Sequence, residues 1–153
     1  HMMPEWLPAY CENQAVNAIL SYYVQIAENA GTTLEIQAQM EKEIPVPEPE
    51  FCVLLGNLLE NAVDACRENN ESGAIKVHIR QTGTSLIAIT VDNPCKNPPV
   101  LEGKRFLSTK HSGPGIGTQS IRLIAERHRG DARFEWKNGM FYASVILIPS
   151  AES

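Results

Sequence analysis

Residues 56–66, Gly-Asn-Leu-Leu-Glu-Asn-Ala-Val-Asp-Ala-Cys, set Asn57, Glu60, Asn61 and Asp64 among aliphatic neighbours. At about 100° per residue on a helix, these four polar side chains fall within an arc of roughly 100°. Leu55, Leu58, Leu59, Ala62, Val63 and Cys66 take the opposite side. Asn and Asp are poor interior helix formers, and a plain wet face would more usually carry Lys, Glu, Arg or Gln. Amide and carboxylate oxygens spaced at i, i+4 and i+7 can instead hold an octahedral Mg2+ and its waters beside a polyphosphate. A solvated face is the alternative for the same stripe.

Gly113-Pro-Gly115-Ile116-Gly117 opens a later helical pattern. Glycines let backbone N–H groups approach an anion, and a helix N-terminus adds unpaired donors and a favourable dipole. The same string fits a tight loop-to-helix turn. It is not a dinucleotide fingerprint, because no strand precedes it and Thr118 stands where the third glycine would be. Nor is it a P-loop, since no Gly-Lys-Ser/Thr follows. Just upstream, Lys110 could reach a terminal phosphate, and Ser108 or Thr109 could donate to one; an isolated loop lysine is otherwise simply solvated. In Ile87-Ala-Ile-Thr-Val-Asp-Asn93, alternation puts Ile87, Ile89, Val91 and Asn93 on the buried face. A buried amide there needs a partner: a purine edge, or its own backbone in an Asn-Pro turn.

The elements that must position these residues follow from periodicity and breakers. Asn13 can cap a helix running to about Ala30, stopped by Gly31. Leu34, Ile36 and Ala38 alternate as a strand, and Pro45–Pro49 forms a non-helical connector. The Asn-bearing helix is expected over about 50–69, then strands over about 74–82 and 85–92, the second ending before Pro94. Residues 94–112 show no periodicity and read as one long loop. A third helix over about 117–128 ends before Gly130, and strands over about 132–137 and 140–148 flank an Asn138-Gly139 hairpin turn. The order α β α β β α β β predicts helices on one face of a mixed or antiparallel sheet.

The 153 residues carry a net charge of −5, with 43% hydrophobic and 20% charged residues, which fits one globular domain with a real core. No Lys/Arg-rich run suits a general nucleic-acid grip, so no nucleic-acid partner is expected. Cys11, Cys52, Cys66 and Cys95 lack metal or redox spacing and read as free thiols in a reducing compartment. No apolar run approaches the ~18 residues of a membrane span. His1-Met2 before Met3 reads as an expression remnant over residues 1–3, leaving 4–153 as a single domain cut from a longer protein.

In this order, an Asn helix, a strand ending in an amide, a long loop and a GxGxG-helix junction resemble the histidine-kinase ATPase (GHKL) family over nearly all of residues 10–149. Leu-Leu-Gly-Asn57-Leu-Leu-Glu-Asn61-Ala resembles its N box, and Ser108-Thr-Lys-His-Ser-Gly-Pro-Gly-Ile-Gly-Thr-Gln-Ser-Ile121 its G2 box with the preceding lid. Asn93-Pro94 together with Ser-Thr-Lys most resembles the peptide-sensing, quorum-sensing kinases with multi-span sensors. The resemblance implies a two-layer α/β sandwich of the Bergerat type, an α+β fold with a mixed sheet of about five strands covered on one face by about three helices. It implies ATP and Mg2+ as cofactors, with Asn61 on the metal and Asn57 on phosphate, metal-bound water or both. Asn93 would stand for the family's adenine-reading aspartate. Lys110 would meet the terminal phosphate, and Asp64, Thr109, Gly113, Gly115, Ile116 and Gly117 would line the nucleotide. Pro94-Cys95-Lys96-Asn97 replaces the family's G1 glycines.

The resulting expectation is the catalytic domain of a sensor histidine kinase, with Asn57, Asn61 and Lys110 as its catalytic residues. It would pass the γ-phosphoryl group of ATP to a histidine on separate dimerisation helices of the same kinase, with a response regulator downstream. The domain would be cytoplasmic, part of an integral membrane bacterial sensor, without itself spanning the membrane. His78, His111 and His128 lie on a predicted strand, a loop and a helix end, so the acceptor is expected outside this chain. The alternatives are an anti-sigma-factor-type serine kinase of the same superfamily and a non-catalytic nucleotide-sensing or protein-binding module.

Overall fold

The computed structural model describes residues 9–98, 101–102, 105–106 and 116–149, with side chains over 9–98 and 118–149. Asn13 caps α1 (Gln14–Asn29) by accepting from the Val16 N–H, and Gly31 follows at φ +86°. After β1 (Leu34–Gln39) comes α2 (Glu48–Glu68). This helix starts two residues earlier than expected, taking Pro49 into its first turn. A proline is tolerated there because first-turn N–H groups have no partner within the helix.

The next strands are β2 (Ile75–Thr82) and β3 (Leu86–Pro94). β3 runs one residue further than the proline suggests. Its register with β2 stops at Lys76↔Asp92, so Pro94 is paired only on the other side, with Met140. An end position of that kind accommodates a missing N–H. Within the segment read as an aperiodic loop, β4 (Leu101–Glu102) and β5 (Arg105–Phe106) form an antiparallel pair. Two-residue strands are too short to show alternation.

Helix α3 (Ile116–Arg127) leads to β6 (Asp131–Lys137) and β7 (Met140–Leu147). The turn between these strands has Asn138 at φ +51° and Gly139 at φ +80°, a type I′ hairpin. Where α3 ends, the left-handed residue is Arg129 at φ +60°, and Gly130 serves another purpose. A Cβ on Gly130 would lie 1.7 Å from the Ile146 carbonyl oxygen, so its missing side chain is what lets α3 close onto β7.

The five-stranded sheet has the order β1-β2-β3-β7-β6, with β1 parallel to β2 and every other pair antiparallel. It is therefore mixed, as expected. Helix α2 supplies the crossover between the parallel pair and buries Phe51, Leu54, Leu55, Leu58, Leu59, Ala62, Val63 and Cys66. Opposite them lie Ile75, Val77, Ile87, Ile89, Val91, Val145 and Leu147 from the sheet. Each large aliphatic side chain buried in this way contributes about 1.5–3 kcal/mol. That apolar seam fixes which side of α2 turns away from the core.

Candidate functional site

The side of α2 that the core leaves over is the polar stripe. Asn57, Glu60, Asn61 and Asp64 are all half-buried. Asp64 pairs with Arg67 at 3.3 Å one turn on, and Glu60 is also engaged. The two amides differ from the chain's other asparagines. Asn13 caps α1, and Asn17 accepts from the Tyr10 and Cys11 N–H groups. Asn29 accepts from Gln25, and Asn97 donates to Asn69, which itself donates to the Ala65 carbonyl. Asn93 donates to the Pro94 carbonyl, while Asn70 and Asn138 take positive φ. Of the ten asparagines, only Asn57 and Asn61 have no such local role, and among the described residues neither amide has a protein partner. Two unpaired amides one turn apart, half out of water, suit a polar ligand.

Asn93 is 1% exposed, on the helix-covered face of β3 as its parity predicts. Its Nδ2 donates to the Pro94 carbonyl at 2.9 Å, which leaves the amide oxygen as the acceptor an exocyclic amino group would need. Of the two partners that the sequence allowed this amide, its own backbone thus holds the nitrogen end. Pro94 O lies 3.9 Å from Cys66 Sγ, so the C-terminal part of α2 sits over this strand end. Asn61 is five residues before Cys66, about 7.5 Å along the helix axis.

Helix α3 packs against α2. Its end is fastened to the start of α2: Glu50 accepts from Arg127 at 2.9 Å and meets His128 Nε2. Burial alone would raise the Glu50 carboxyl, but the hydrogen bonds from His128 and Arg127 outweigh it and hold the group below the usual carboxylate range. Equal numbers of residues separate Glu50 from Asn61 and Arg127 from Ile116, about 16 Å of axis each. From that anchor, α3 is long enough for its first turn, with Ile116 and Gly117, to reach the level of Asn61. A helix N-terminus carries partial positive charge and unpaired N–H donors, which favours an anion there.

Thr109, Lys110, Gly113 and Gly115 lie outside the described residues. Among the described residues no three His, Cys, Asp or Glu side chains cluster as a metal site, so a cation would rely on amide and ligand oxygens. Mg2+ accepts such a set, since it keeps several waters and takes phosphate oxygens alongside one or two protein ligands. Sequence reasoning did not single out Glu50, Asn69, Asn97 or Trp136. Their partners are mostly distant in the chain, and no local spacing signals them.

Residues 48–149 match the family described as the GHKL domain. The sensor histidine kinase ZraS of Salmonella typhi is 28% identical, covering 93% of this chain and 32% of that protein. A probable C4-dicarboxylate sensor kinase of Bacillus subtilis is 26% identical, covering 95% and 29%. This chain thus spans about a third of the length of these curated relatives. In three dimensions it resembles the catalytic domain of histidine kinase ThkA (TM-score 0.68, 19% identity, 89% of this chain and 91% of that one). It also resembles the Acinetobacter baumannii histidine kinase AdeS (TM-score 0.64, 12% identity, 89% and 64%). These likenesses establish the fold, an α/β sandwich of the histidine kinase catalytic type.

Proposed function

The chain belongs to the GHKL domain family, and from that premise we propose that it is the ATP–Mg2+-binding catalytic domain of a sensor histidine kinase. The observation that carries this reading is the pair of amides, Asn57 and Asn61, without a partner among the described residues, on the stripe of α2 that the core does not bury. Asn61 ligates Mg2+, and Asn57 holds phosphate or a metal-bound water. The metal, when bound, neutralises charge on the phosphates. Asn93 accepts from the adenine amino group. Lys110 meets the terminal phosphate, and Thr109, Gly113, Gly115, Ile116 and Gly117 supply donors around the chain of phosphates. Asp64 borders the same stripe, its carboxylate already shared with Arg67. Phosphoryl transfer depends mainly on alignment and charge neutralisation, which such a set can provide without a covalent role for the protein.

The nucleotide then lies along α2, with adenine near Cys66 and Pro94 and the phosphates toward Asn61 and the first turn of α3. The γ-phosphoryl group passes to a histidine on separate dimerisation helices, leaving ADP, and from there to a response regulator. No helix among the described residues is long and apolar enough to cross a membrane. We place the domain on the cytoplasmic side of a membrane-anchored bacterial sensor. Asn93-Pro94 with Ser108-Thr109-Lys110 supports the peptide-sensing, quorum-sensing branch. The replaced G1 glycines are the one feature favouring a non-catalytic nucleotide-sensing module.

Calorimetry with a non-hydrolysable ATP analogue and Mg2+ tests the reading. The parent should bind, and Asn61→Ala should bind at least about tenfold more weakly with its circular dichroism unchanged, a loss of about 1.4 kcal/mol. No binding by the parent, or equal Mg2+-dependent binding by both, overturns it.

A further inference from the structure

The segment that replaces the family's glycines is gripped from three sides, and the grip leads back to Asn93. The Pro94 carbonyl and the Cys95 N–H belong to one planar peptide unit. Its N–H donates to the Gly139 carbonyl at 2.8 Å, and its carbonyl accepts from Asn93 Nδ2 at 2.9 Å. The following peptide unit is held as well, because Trp136 Nε1 donates to the Cys95 carbonyl at 2.7 Å. Strand register puts Trp136 opposite Phe141 and Phe141 opposite Asn93, so the indole and the amide share one row across the sheet. On the helix side, Asn97 Nδ2 donates to Asn69 Oδ1 at 3.0 Å, and Asn69 is anchored on the Ala65 carbonyl in the last turn of α2. Glycines would leave this stretch permissive. Here proline and two fixed peptide planes make it stiff.

We propose that Trp136 is a positioning residue for the purine subsite. The Gly139 carbonyl holds the peptide plane on which the Asn93 amide rests, the Trp136 indole N–H holds the next plane through the Cys95 carbonyl and so limits rotation of the first, and the Asn69–Asn97 bond ties the same segment to α2. The inference rests on the reading that Asn93 accepts from adenine. It explains how the chain keeps that subsite without the G1 glycines: orientation of the amide comes from the β6–β7 hairpin, with Trp136 on β6 two strands away from β3. Trp136 acts through Asn93 and touches no reacting atom.

The test is a double-mutant cycle in the Mg2+-dependent binding of a non-hydrolysable ATP analogue, read by calorimetry. Trp136→Phe keeps the ring and removes the donor, and should weaken binding about tenfold. Asn93→Ala should weaken it comparably, and the double variant should bind no more weakly than Asn93→Ala alone. Combined with Asn61→Ala, on the metal side, the Trp136→Phe loss should instead be additive. A general folding defect would add to both. Asn97→Ala, at an exposed residue, runs the same cycle from the helix side with an expected loss of about threefold, and carries the test should Trp136→Phe unfold. Undiminished binding by Trp136→Phe, or additive losses with Asn93→Ala, overturns the proposal while leaving the ATP-binding reading intact. A parent that binds no nucleotide removes the ATP-binding reading itself, and this inference with it.

Discussion

Asp92 and Asn93 are neighbours in sequence that point to opposite faces of β3, and their environments differ accordingly. Asn93 is enclosed beneath α2 with its nitrogen on the Pro94 carbonyl. Asp92 lies on the other face, opposite Lys76 and Tyr142. Burial pushes its carboxyl above the usual aspartate range, and the nearby His78 and Lys76 offset only part of that. A carboxyl whose pKa is higher folded than unfolded has its charged form disfavoured by folding. It supports stability fully below the unfolded pKa, and that support is lost as pH rises through the folded one. Asp92→Asn should therefore raise the melting temperature at neutral pH relative to the parent, with the difference closing in acid. A melting series from pH 3 to pH 8 checks this, and a variant less stable than the parent at neutral pH contradicts it.

At the scale of elements, the junction between α3 and β7 is held by backbone proximity as much as by side chains. The Gly130 N–H donates to the Ala125 carbonyl, the Ile148 N–H donates to the His128 carbonyl, and Gly130 packs against the Ile146 backbone. A methyl group at residue 130 has to push one element away from the other. Gly130→Ala is expected to destabilise the chain by about 1–3 kcal/mol or more, read as a lower urea midpoint with an unchanged slope. The same end of α3 is fastened through Arg127 and His128 to Glu50. On the proposed reading, in which the first turn of α3 meets the phosphates, a displaced α3 should also lower the nucleotide affinity of the variant along with its stability. This junction was only half legible in the sequence. Gly130 marks the end of the helix, but its reason lies in contact with residue 146, which no local pattern displays.

For the molecule as a whole, the two-layer design leaves the polar stripe of α2 off the core and sets the end of β3 against the C-terminal part of that helix. None of the described histidines is placed like an acceptor on a dimerising helical hairpin. His78 sits exposed on β2, and His128 is engaged by Glu50. The chain by itself, incubated with γ-labelled ATP and Mg2+, should take up no label. Adding the histidine-bearing helices of its own kinase should label those helices and not this chain. Label on this chain alone would contradict the division of labour.

What the sequence determined by itself is whatever a short window can encode. The asparagine cap at Asn13, the Asn138-Gly139 turn, the inward parity of Asn93 and the polar stripe carrying Asn57 and Asn61 all follow from periods of two or 3.6 residues and from backbone preferences. The expected roles of Thr109, Lys110, Gly113 and Gly115 still rest on the sequence alone. Tertiary structure decided that Pro49 joins a helix, that Pro94 ends within a strand, and that Trp136 reaches Cys95 across 41 residues. It also decided that Glu50 meets Arg127 and His128 across more than 70. The reason is topological. The order β1-β2-β3-β7-β6 sets the last hairpin beside the middle of the chain, and no spacing within either segment records which partner will arrive.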